Sequence, residues 1–291
     1  MLFQRKFAIL FLSMSLGLLV FSEHAGAAQT KTLQIKGSDT MVNLGQSWAE
    51  EYMIQNPQTS IAVTGGGSGT GIAAILSGTC DIAQSSRDMT AEEIAKGAAS
   101  GAPVKTTVVA HDGIAVVVHP ANPVSELTTE QLSGIFSGKI KNWKELGGKD
   151  LPVLVLSRER NSGTHVFFLE HIVRMGNAQG PEEFGPSVLM MPSSQAIVQE
   201  VESSEAAVGY IGLGYVTENQ KVLGVAKDPA GPFVKSSIET VLGGQYPIAR
   251  PLYFLTRGEP QGTVKGFMDF ALSPEGQEIV KLLDFVPVKE A

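Results

Sequence analysis

Three short turns rich in serine, threonine and glycine carry the chemistry open to this chain. They read Gly37-Ser38-Asp39-Thr40, Gly65-Gly66-Gly67-Ser68-Gly69-Thr70-Gly71 and Asn161-Ser162-Gly163-Thr164, and each opens onto a helical pattern. The start of a helix offers backbone N–H groups without intrahelical partners and the positive end of aligned peptide dipoles. Flanking glycines let an anion approach the backbone, and serine or threonine adds hydroxyl donors. One such turn is an ordinary helix cap. Three in one chain, with Arg87 and Arg158 close by in sequence, point to an oxyanion held by many neutral donors.

Competing chemistries fail at particular positions. A dinucleotide fingerprint and a nucleophile elbow both fail in the glycine loop because Thr70 stands where the last glycine is required. A phosphate-binding P-loop fails because Ile72 replaces its lysine. The five histidines (24, 111, 119, 165, 171) show no ligand spacing, and a single cysteine excludes a thiolate cluster, so no metal or cofactor is expected. His165 and His171 read as helix-face residues. Cys80, inside Ile75-Leu76-Ser77-Gly78-Thr79-Cys80-Asp81-Ile82-Ala83, reads as a small apolar packing residue.

The elements that must position the turns alternate short β-branched runs with helical segments. Leu33–Ile35 reads as a strand, followed by Met41, Leu44, Trp48 and Tyr52 at helical spacing with Thr40 or Asp39 as cap. Ser60–Thr64 and Asp81–Gln84 read as further strands, with a helix over Ile72–Leu76 between them and another starting at Thr90. Beyond them come helix Thr129–Phe136, strand Val153–Leu156, helix His165–Val173 and strand Val208–Ile211. This rhythm predicts an α/β fold with largely parallel sheets flanked by helices. Two apolar runs, Thr106–Val118 and Pro251–Leu255, read as crossings between two lobes. All three turns fall where strands give way to helices, the usual ligand position in open α/β sheets.

Arg5 and Lys6, the apolar run Phe7–Phe21 and the small residues Ala25-Gly26-Ala27 read as a signal peptide over residues 1–27, cleaved after Ala27. The whole chain carries 22 basic and 29 acidic residues; without Arg5, Lys6 and Glu23 these become 20 and 28, a net charge of −8. Nucleic acid and anionic membrane are therefore not expected partners. A bound anion also gains nothing from the overall field, so its affinity must come from local donors.

These residues resemble a known family. The stretches Lys36-Gly37-Ser38-Asp39-Thr40, Gly65 to Gly71, Asp81-Ile82-Ala83-Gln84-Ser85-Ser86-Arg87 and Ile135 to Trp143, with Arg158 to Thr164 and Gly209 to Tyr215, are similar in order and spacing to the phosphate-binding proteins of ABC importers, within the type II periplasmic binding proteins. The resemblance implies a two-lobed Venus-flytrap fold with two hinge crossings. Its expected limits are a lobe I of residues 28–112 plus 254–291 and a lobe II of 113–253.

The resemblance also implies a monomeric periplasmic receptor that clamps inorganic phosphate and serves a permease in the inner membrane, without catalysis. Carried over by position, Thr40 donates its hydroxyl and N–H with the Met41 N–H beside it. Ser68 and Gly69 act from the glycine loop, Arg158 supplies positive charge, and Ser162, Gly163 and Thr164 close the cage. Where many members hold an aspartate, this chain has Ser86, followed by Arg87. Arg87 is either a ligand contact or a surface ion pair with Asp88 or Glu92, and Asp39 or Asp88 is a candidate for the missing acceptor. A receptor for another tetrahedral oxyanion such as sulfate, and a secreted phosphate-ester hydrolase on the same scaffold, are the alternatives.

Overall fold

In the computed structural model, residues 32–101 and 103–288 are described; the expected signal segment lies outside them. The chain begins with β1 (Leu33–Gly37), α1 (Val42–Gln55), β2 (Ile61–Thr64), α2 (Ser68–Ser77), β3 (Ile82–Ser85) and α3 (Ala91–Ala99). It then runs through the long strand β4 (Val104–Val118) into β5 (Glu126–Thr128), α4 (Thr129–Phe136), β6 (Leu154–Arg158), α5 (Gly163–Phe168) and β7 (Leu189–Met191). There follow α6 (Ser194–Ser203), β8 (Ala207–Gly212), β9 (Lys221–Val222), β10 (Gly224–Ala226) and α7 (Ile238–Leu242). The return is made by β11 (Ala249–Arg257), before α8 (Gly262–Ala271) and α9 (Pro274–Leu282).

The main sheet has the order β2-β1-β3-β11-β4-β8-β6-β7. β2, β1 and β3 are parallel at one end, and β8, β6 and β7 are parallel at the other. Between them, β4 and β11 run antiparallel to their neighbours, because the chain leaves along one and comes back along the other. β4 pairs with β11 from Val104 to Gly113 and with β8 from Ile114 onward, so a single strand belongs to both halves. This is the two-lobed α/β architecture, with the parallel strands of each half joined by two crossing strands. No helix among the described residues is long and apolar enough to cross a membrane.

Packing explains several residues that carry no chemistry. Trp48 and Trp143 are buried, and their indole N–H groups donate to the Gly276 and Ala206 carbonyls at 2.7 and 2.9 Å. Cys80 packs with Ile72, Ile75 and Leu255, and burial pushes its thiol up to about 11. A buried neutral thiol of this kind is a poor nucleophile.

Candidate oxyanion site

Thr40 lies in the 3₁₀ turn Asp39–Met41, between β1 and α1. Neither Thr40 nor Asp39 caps a helix: Ser38 heads the turn, and no side-chain cap bond is present there or at the start of α1. The Thr40 hydroxyl is engaged elsewhere, 2.9 Å from the Thr164 hydroxyl. Thr164 is the second residue of α5, which begins at Gly163, two residues before the expected start, and passes into a π-helical turn over Leu169–Val173. Ser162 caps it, accepting from the His165 N–H at 3.4 Å.

Ser68 is the first residue of α2, behind Gly67 at φ +90°. A side chain at Gly67 would be strained by that backbone, and its Cβ would stand 2.7 Å from the Asn161 carbonyl oxygen. The Ser68 hydroxyl accepts from the Ser86 N–H at 3.0 Å and lies 3.2 Å from the Ser86 hydroxyl, which accepts in turn from Ser38 at 2.9 Å. Gly163 presses against the same pair: a Cβ there would lie 2.3 Å from Ser68 Oγ and 2.7 Å from Ser86 Oγ. Ser38, Thr40, Ser68, Ser86 and Thr164 are all fully buried. Hydroxyls from the first turn, the glycine loop, the β3 exit and the third turn thus converge from both halves of the sheet.

Two guanidinium groups accompany the hydroxyls. Arg158, at the end of β6, donates through Nη1 to Ser194 Oγ at 2.9 Å and pairs with Asp39 Oδ2 at 3.1 Å. Its Nη2 donates to the Pro192 carbonyl at 3.1 Å, while its buried Nε has no partner. Arg250, at the start of β11, was not identified from sequence. Its Nη2 donates to Thr164 Oγ1 at 2.9 Å and approaches Thr40 Oγ1 at 3.4 Å; its Nη1 donates to the Ser86 carbonyl at 2.9 Å. Asp112 on β4 receives Arg250 Nη2 at 2.8 Å and Nε at 3.2 Å, and also accepts the Leu213 N–H. Burial lowers the Arg250 pKa, Asp112 opposes that shift, and the positive charge of Arg158 adds to it.

Other expected site residues are placed differently. Arg87 is turned away from the hydroxyls and held by Glu93 through two 2.8 Å bonds. Neither Asp88 nor Glu92 supplies that carboxylate, because the Thr90 capping box folds Glu93 back towards Arg87. The Met41 N–H donates to the Ser38 carbonyl at 3.1 Å, closing its own turn, and its side chain is in the core. The Gly69 N–H donates to the Asn161 carbonyl at 2.9 Å, and Asn161 Nδ2 returns a bond to Gly66. Together with the bond from the Ser194 N–H to Asp39 Oδ2, these contacts hold the two halves against each other around the hydroxyls.

His165 lies behind the cage, with Nδ1 3.2 Å from Ser157 Oγ. Desolvation by burial lowers its pKa to about 4, so the ring is neutral near pH 7. No cluster of His, Cys, Asp or Glu suited to a metal ion occurs among the described residues.

Comparison with known proteins gives a consistent picture. Residues 22–275 match the family described as PBP superfamily domain. The chain is 32% identical to the phosphate-binding protein PstS of Pseudomonas aeruginosa, over 87% of this chain and 81% of that protein. It is 34% identical to PstS of Bacillus subtilis, over 89% of this chain and 81% of that one. Among solved structures it is similar to a putative phosphate ABC transporter substrate-binding protein with bound phosphate from Clostridium perfringens, at 33% identity and a TM-score of 0.79, covering 89% of this chain and all of that one.

Proposed function

The chain belongs to the PBP superfamily and, within it, to the family of the phosphate-binding proteins PstS, and from that premise we propose that it captures inorganic phosphate between its two lobes for an ABC importer. The observation that carries this reading is the convergence of Thr40, Ser68, Ser86 and Thr164, from four separate segments, on one buried place beside Arg158 and Arg250. An oxyanion stripped of water requires on the order of a dozen hydrogen bonds, since each unsatisfied lone pair is costly in a dry site. Hydroxyls, helix-start N–H groups and guanidinium forks supply the charge-assisted kind. The site is a binding site, and the protein is a receptor rather than an enzyme.

Several finer points belong to the same proposal. Thr40, Ser68, Ser86, Arg158, Gly163 and Thr164 line the anion, while Arg87 stays with Glu93. The lobes are 28–112 plus 254–291 and 113–253; in support, β4 changes partner between Gly113 and Ile114, and β11 meets β3 from Tyr253 onward. The protein works as a periplasmic monomer after loss of residues 1–27 and delivers phosphate to an inner-membrane permease.

Equilibrium dialysis with radiolabelled phosphate, after unfolding and refolding to strip carried-over ligand, tests the reading. Saturable one-to-one binding is expected, and ligand at about a hundred times its dissociation constant should add roughly 2.7 kcal/mol to folding stability. An unchanged melting temperature at millimolar phosphate overturns it.

A further inference from the structure

We propose that Arg250, with Asp112 as its fixed counter-charge, is a second cation of the oxyanion site and the group that ties both lobes and both crossing strands to the ligand. The inference rests on the phosphate reading above and adds to it a residue outside the three turns.

The geometry of one side chain carries the argument. A guanidinium has five N–H donors in a rigid plane and no acceptor. In Arg250, two are taken by Asp112, one by the Ser86 carbonyl and one by Thr164 Oγ1, which leaves one N–H on Nη1. Its partners lie on both halves of the cage: Thr40 and Ser86 in the first half, Thr164 in the second, and Asp112 on the other crossing strand. The ring of Phe167, on α5, lies 5.7 Å from the guanidinium carbon. Both Arg250 and Asp112 are completely buried, where an ion pair without further purpose is seldom worth its desolvation.

Arg250 also sets the direction of neighbouring hydroxyls. A hydroxyl has one proton to give. Because Thr164 Oγ1 accepts from Nη2, its own proton must go to another acceptor, which is either Thr40 Oγ1 or the bound anion. Asp112 is held on both sides, by Leu213 N–H and by Arg250, so it fixes the guanidinium rather than facing the ligand as a free acceptor. Arg158 with Asp39 and Arg250 with Asp112 form two neutralised pairs, the first through Asp39 next to Thr40 in the chain and the second reaching Thr40 and Thr164 directly. Each pair carries its cation on the cage, which is where a dianion gains most from it.

The test uses the mature protein and inorganic phosphate. Arg250→Gln combined with Asp112→Asn replaces the buried pair by neutral amides, leaving no unpaired buried charge to unfold the protein. This double variant should melt within a few degrees of wild type in the absence of phosphate, yet bind phosphate on the order of 30-fold more weakly or worse. Arg250→Lys should recover part of the loss, since it restores the charge without the fork. The gain in affinity on passing from monoanionic to dianionic phosphate with rising pH should shrink in the double variant, a change that a purely structural pair would not produce. Phosphate affinity within about threefold of wild type in the folded double variant overturns the inference while leaving the phosphate reading intact. Wild-type protein that takes no phosphate overturns both.

Discussion

Thr40 and Thr164 stand 124 residues apart in the chain, on opposite halves of the sheet, and their hydroxyl oxygens lie 2.9 Å from each other. Neither hydroxyl serves the helix start on which it sits. The head of the first turn has no side-chain cap, and the third turn is capped by Ser162. Both threonines are thereby released from the usual work of their position and turned into the space between the lobes, where Arg250 reaches them both.

Gly163 sets how closely the halves approach. A methyl group there would stand 2.3 Å from Ser68 Oγ, 2.7 Å from Ser86 Oγ and 3.0 Å from Ser68 Cβ. Those serines are buried and bonded to one another, so the collision is relieved most readily by parting the lobes. Gly163→Ala should therefore lower phosphate affinity about a hundredfold or more, while costing less than ~1 kcal/mol of stability in ligand-free protein. Dialysis and thermal melts on the same preparation check this, and wild-type affinity in the variant would count against the placement of Gly163 in the cage.

Much of this arrangement was legible in the sequence because its signals are local. The glycines around Ser68, the strand-to-helix positions of the turns and the long apolar crossings each follow from neighbouring residues. The structure shifts the crossings and α5 by two residues, while α2 begins at Ser68, four residues before the expected Ile72, because the helix starts inside the glycine loop. The α5 start at Gly163 moved because Ser162, and not Thr164, is the cap. Arg250 and Asp112 escaped notice because each reads as a lone charge in or beside an apolar strand. The missed signal was their opposite sign on the two strands that cross between lobes, where antiparallel pairing sets Arg250 opposite Asp112. The partner of Arg87 escaped for another reason: the Thr90 capping box decides which glutamate turns back, and Glu93 is the residue at its third helical position.

Arg158 divides its donors between structure and site. Nη1 and Nη2 hold Asp39, Ser194 and the Pro192 carbonyl, while the buried Nε is left over. Arg158→Ala should weaken phosphate binding by roughly 2–5 kcal/mol, through loss of the charge and of the brace on Asp39, and Lys should rescue it only in part. Arg160→Ala should bind as wild type. Isothermal titration of the two variants side by side decides the matter: loss confined to Arg160→Ala would mean that the wrong arginine has been assigned.

His165 ties stability to pH. Its folded pKa of about 4 lies below the ordinary 6.5, chiefly through burial; a hydrogen bond with the Arg158 backbone opposes that most, the Arg160 charge adds to the lowering, Glu183 opposes it, and the Arg158 charge adds least. The unfolded chain therefore takes up the proton first, and folding stability should fall as pH drops from about 6.5 towards 4 and level off above that range. About 2 kcal/mol should be lost by pH ~5, with His111, whose pKa is also lowered by burial, adding in the same direction. Urea melts without phosphate should show the slope in wild type and a flatter profile in His165→Gln. Equal stability of wild type at pH ~5 and ~7.5 would contradict the neutral buried ring.

Selectivity turns on Ser86. Its hydroxyl accepts from Ser38 and neighbours Ser68, and its carbonyl accepts from Arg250. The carboxylates nearby are each joined to a cation, Asp39 to Arg158 and Asp112 to Arg250. A cage dominated by donors favours a dianion over a protonated form, so affinity for total phosphate should fall as pH drops through the second phosphate ionisation, near ~6–7. Sulfate, a dianion without a proton, should then compete measurably. Ser86→Asp should reverse both trends, by repelling sulfate and by giving a phosphate proton somewhere to go. Asp39 is the rival acceptor: if it receives the phosphate proton, wild type should ignore sulfate and Asp39→Asn should admit it. Competition dialysis of wild type and both variants, below and above the phosphate ionisation, separates the two. Exclusion of sulfate by all three proteins would refute both, and would place the acceptor on a residue other than Ser86 or Asp39.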